Sequence, residues 1–116
     1  MATVAEIESK TLDELRQTQM LMESARWVFS LEDATAETQL QAAREKLRVQ
    51  HAIVSLENAI LGELRDRLLA NEADLQAGRT RLETARQRLE GVAQVLNAVT
   101  GFLDVVARVV PLLLSA

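Results

Sequence analysis

From Leu40 to Val110 every seventh residue is Leu or Val: Leu40, Leu47, Val54, Leu61, Leu68, Leu75, Leu82, Leu89, Leu96, Leu103 and Val110. A repeat of seven keeps one stripe of a helix turned toward a neighbour, because 3.5 residues per turn realigns the side chains with the seam. A strand alternates faces at every residue, so an odd spacing would scatter the same side chains over both sides of a sheet. The chain has to bury helix against helix.

Composition supports the same class. The body of the 116 residues is Ala, Leu, Val, Glu, Arg and Gln, with one Pro and four Gly. Apart from Val these are strong helix formers. The fold class expected is all-α: an elongated antiparallel helical bundle or coiled coil of about three long helices, in a single domain over 1–116.

The first helix is placed at about 3–30. Thr3-Val4-Ala5-Glu6 reads as a capping box, in which the Thr hydroxyl and the Glu carboxylate satisfy free amides reciprocally. Thr11, Leu15, Thr18, Met22, Ala25 and Phe29 follow at alternating spacings of four and three, on one face. Trp27 and Phe29 are expected to staple the end of this helix to the bundle, or to anchor an interface.

The second helix, about 35–70, carries two apolar stripes. One is Leu40, Ala43, Leu47, Val54, Leu61 and Leu68; the other is Val49, Ile53, Leu56, Ile60 and Leu64. Two stripes imply two partners and a central position. Lys46, Gln50 and Glu57 lie between them, and a buried carboxylate needs a partner. Glu57 is therefore expected to be enclosed and to meet Lys46, an Arg of a neighbouring helix, or water.

The third helix, about 72–110, has Leu75, Leu82, Leu89, Leu96, Leu103 and Val110 at one core position. Gly78, Ala85, Val92, Val99, Val106 and Leu113 occupy the other. Leu75, Leu82, Leu89, Val92, Leu96, Val99, Leu103, Val106 and Val110 form the expected association interface. The small Gly78 and Ala85 invite close approach of a neighbour. Asn71 is a good N-cap and places a turn near 69–72. The alternative fuses the second and third helices into one rod of about 75 residues and about 110 Å, because the heptad phase passes through 71 unbroken. Helices average three turns, so the hairpin is the reading taken.

Residues 92–114 are apolar on most of their circumference, apart from a stripe through Gln94, Asn97, Asp104 and Arg108. Such a helix is buried in protein or in lipid. Asp104 and Arg108, four apart, are expected to pair locally and to be enclosed. At about 2.5–3.5 kcal/mol for each charge at mid-bilayer, a lone span is disfavoured. A bundle core is favoured, with a membrane-active segment as the alternative.

Chemistry is sparse. There is no Cys, and His51 is the single histidine. No catalytic residue, cofactor or metal is expected. His51 and Ser55 share a helix face without a third group to orient them. Arg79, Arg81, Arg86 and Arg88 form the densest basic run, but Glu83 and Glu90 interrupt it and no aromatic is interleaved, so nucleic acid is not the expected partner. The net charge is −4. The start lacks a secretory signal pattern, which suggests a cytoplasmic protein, and eleven Arg against two Lys fits a GC-rich bacterial genome. The expected function is non-enzymatic: a structural or adaptor protein acting by self-association as a homo-oligomer, or by docking another helical protein. The alternative is a membrane-active helical protein using residues 92–114.

Overall fold

Each of the three expected segments is divided in two. The computed structural model describes residues 2–88 and 91–111. Among these the helices are α1 (Val4–Met22), α2 (Ala25–Glu32), α3 (Ala36–Asn58), α4 (Leu61–Ala70), α5 (Glu72–Arg88) and α6 (Val92–Val109), with no strand. The expected all-α class holds, as a bundle of six helices.

The capping box at Thr3 and Glu6 is present as read. The first segment breaks at Ser24, whose hydroxyl accepts from the Trp27 amide and donates to the Leu21 carbonyl. One short side chain thus ends α1 and starts α2. The second segment breaks where Ala59 and Ile60 adopt extended backbone angles. The third breaks at Gly91, also extended and offering no side-chain cap.

The chain reverses between α5 and α6, rather than at 69–72. Asp74 meets Arg108, and Gly78 meets Phe102, so α5 and α6 form an antiparallel hairpin. The single long rod is overturned, since 44 × 26 × 20 Å is the full extent of the molecule. At Asn71 the helical path is interrupted for one residue, with φ −110 and ψ 9. The Asn71 amide still donates to Arg67 O, and Leu75 N donates to Asn71 O.

Helices α1, α3, α6 and α5 touch in a closed ring. Ile7 and Thr11 lie with Leu75 and Arg79, and Glu14 lies with Arg86, so α1 and α5 run the same way. Thr38 lies near Val92 and Val95, and Arg48 reaches Asp104, so α3 and α6 also run the same way. The short helices close the ring: α2 touches α1, α3 and α6, and α4 touches α1, α5 and α6.

The ring encloses Leu15, Val49, Leu56, Leu68, Leu82, Leu96, Val99, Phe102, Leu103 and Val106, all essentially without solvent exposure. The close approach expected at Gly78 is real. A Cβ there would lie 3.0 Å from Phe102 Cδ1, so the missing side chain is what seats the ring of Phe102.

Candidate docking site

The seam expected to associate is occupied by the chain's own helices. Leu75, Leu82, Leu96, Val99, Leu103, Val106 and Val110 are buried, Val92 is half-buried, and Leu89 lies outside the described residues, as does Leu113. This seam is core, and what remains for another molecule must be sought elsewhere.

The three polar residues expected to be enclosed are exposed. The Glu57 carboxylate accepts from Arg16 Nη2 at 2.8 Å, one of the partner types foreseen, but at the surface. Asp104 and Arg108 do not pair with each other. Asp104 accepts from Arg48 of α3 at 3.2 Å, and Arg108 donates to Asp74 of α5 at 2.9 Å. A neighbouring helix offered each a better-placed opposite charge than its own turn did. Trp27 is buried in the core, whereas Phe29 is 65% exposed. The break at Ser24 rotated it off the α1 seam.

Sequence reading missed the buried charges Glu14, Glu45 and Arg48. Arg48 Nη1 donates to both carboxylate oxygens of Glu45, at 3.0 and 3.3 Å. The signal was available: 45 and 48 fall on the face of Ala42, Val49, Ala52 and Leu56. Glu14 accepts from Arg86 at 2.9 Å. Burial pushes the Glu14 carboxyl above the usual carboxylate range, and the opposing attraction of Arg86 only partly offsets this. A carboxyl raised in the folded state binds its proton more tightly there than in the unfolded chain. Stability from this group therefore grows as pH falls from the raised value toward the ordinary one, and is lost as pH rises through it. Thermal melts between pH 7 and pH 4.5 should show the wild type gaining on Glu14→Gln as the solution is acidified. Parallel profiles would remove Glu14 as the source.

No catalytic arrangement emerges among the described residues. Ser55 Oγ lies 3.4 Å from His51 Nδ1, but no carboxylate is ion-paired to His51 there. No group of three or more His, Asp or Glu converges among them to hold a metal.

The outer face of α3 is different in kind. Leu40, Leu47 and Val54 are 72%, 55% and 54% exposed. They fall within about 20° of a common line at 3.6 residues per turn. Ala36 and Ala43, also exposed, lie on the same strip, and the inner face is held by Ala42, Val49, Ala52 and Leu56. Within α3 one of the two expected stripes (Val49, Ile53, Leu56) is thus core and the other (Leu40, Ala43, Leu47, Val54) faces outward. Past the break at Ala59 and Ile60 the stripes do not hold: Leu68 is buried and Ile60 is exposed. This row of exposed apolar side chains on α3 makes its outer face the candidate docking surface. A search of protein-family models, of curated proteins and of solved structures found no match for this chain.

Proposed function

We propose that this chain is a non-enzymatic helical adaptor that presents the outer face of α3 to another helix. The observation that carries the reading is the exposed row of Leu40, Leu47 and Val54 on a helix already locked into the core by its other face. Fully burying such a side chain contributes about 1.5–3 kcal/mol. The accessible surface, 6843 Å² for a 12.9 kDa chain, compares with roughly 6,300 Å² for a typical monomer of that mass. In the docked state α3 and the incoming helix would make a two-helix coiled-coil seam. Leu and Val take one core position, and the small Ala36 and Ala43 take the other, which favours close approach.

The incoming helix is either a second copy or part of another protein; a cytoplasmic setting suits both. The membrane-active alternative has less support. Helix α6 is long and apolar enough to cross a membrane, but Leu96, Val99, Leu103 and Val106 would first have to leave the core.

The test uses a synthetic amphipathic peptide with a Leu/Val heptad stripe and neutral Gln flanks. It should bind the intact protein, and Leu40→Glu combined with Leu47→Glu should abolish binding while shifting stability by no more than about 0.5 kcal/mol per surface site. Binding indifferent to both substitutions would refute the docking face. Light scattering of the protein alone reports whether a second copy is the occupant.

A further inference from the structure

Resting on the reading of α3 as a docking face, we infer that its occupant is an amphipathic helix with acidic flanks, from another protein. Two cations border the middle of the exposed row, and Glu37 lies on the Arg44 side near its N-terminal end. Relative to Leu47, Arg44 lies about 60° to one side and Lys46 about 100° to the other, at 3.6 residues per turn. Neither has an ion-pair partner among the described residues. Glu57, the acidic group nearest the C-terminal part of the row, is already engaged by Arg16 at 2.8 Å. The middle of the strip is therefore apolar between two uncommitted positive charges. A helix laid along a heptad seam places its own flanking residues against these positions, and opposite charges there set the choice of partner.

The same charges act against a second copy. An antiparallel pair that sets Leu47 against Ala43 of another copy has its two-fold axis at residue 45. Arg44 then meets its own copy, and so does Lys46. A parallel, in-register pair brings Arg44 of one copy to the same side of the seam as Lys46 of the other. Both of these registers confront like charges beside the seam, which disfavours them.

Two further synthetic helices test this, with the same Leu/Val stripe as the neutral peptide and either Glu or Lys at every flanking position. At low salt the Glu-flanked peptide should bind wild-type protein about fivefold more tightly than the Lys-flanked one, the sum expected of two modest exposed ion pairs. The advantage should fade near 1 M salt, where the screening length is about 3 Å. Arg44→Glu with Lys46→Glu should invert the preference, with the helical signal and melting temperature of the protein retained. Equal binding of the two peptides, or an uninverted preference, would overturn the acidic partner while leaving the docking face intact. Failure of all three peptides would overturn both, and a doubled mass for the protein alone would assign the face to a second copy.

Discussion

Phe102→Ala should destabilise the fold by about 3–5 kcal/mol, the usual range for emptying a buried aromatic site. Phe102 is 1% exposed and sits against the bare backbone of Gly78 at the middle of the α5–α6 hairpin. Nothing nearby can close over the space, because Leu82, Leu96, Val99, Leu103 and Val106 already fill their own places in the core. For a domain of this size the loss corresponds to a fall in melting temperature of roughly 12–25 °C. The companion is Gly78→Ala. In the wild type its Cβ would stand 3.0 Å from the Phe102 ring, so the helix-propensity gain of about 1 kcal/mol is opposed by crowding. In the Phe102→Ala background the crowding is gone and the gain should appear undiminished. A double-mutant cycle by urea denaturation reads the difference. Additive effects would mean that the glycine is not there for the aromatic ring.

Arg48→Ala should cost about 3–5 kcal/mol, because it strands a buried carboxylate. The Arg48 and Glu45 side chains are 5% and 4% exposed, and Arg48 also ties α3 to Asp104 of α6. Glu45 would be left with no cation, while Asp104, at the surface, would simply be hydrated. The two charges are not there for stability, since desolvating them offsets most of their attraction. Arg48 Nε is buried without an acceptor among the described residues, a further desolvation cost. Replacing the pair together, Glu45→Leu with Arg48→Met, should recover most of the loss and equal or exceed the wild type. A double variant as weak as the single one would show that the ion pair is a net contributor.

The helical class was legible in the heptad, and so was the capping box, because both depend on spacing alone. The path of the chain was not. Leu75 and Leu82 on α5 and Leu96 and Leu103 on α6 keep one seven-residue phase across a reversal. Every helix of a bundle turns its seam to the same interior, so an unbroken phase is silent about where the chain folds back. Gly91 was the available sign. Ser24 was weaker: a single hydroxyl ends one helix and starts another, and it looks like any polar residue on a helix face.

The site was half legible, for a related reason. Both stripes of α3 were visible, but their hydrophobicity could not rank them. The inner face carries Glu45 and Arg48, which count as polar until a second helix satisfies them. The outer face carries Leu40, Leu47 and Val54, which count as core until nothing covers them. Burial in this helix is decided by the neighbours and not by the residues alone. The same holds for Asp104 and Arg108, whose spacing of four promised each other and whose partners came from α3 and α5.

Because Val49, Ala52 and Leu56 hold α3 helical from the inside, the outer row is rigid before anything arrives. Recognition then need not wait for this chain to fold, and none of the affinity is spent on ordering it. An unstructured segment meeting this surface would bear the whole conformational loss of the encounter by itself. The two sides would thus be unequal, a fixed template and a segment that takes its shape from it. Residence time would be governed by how readily the incoming segment coils unaided.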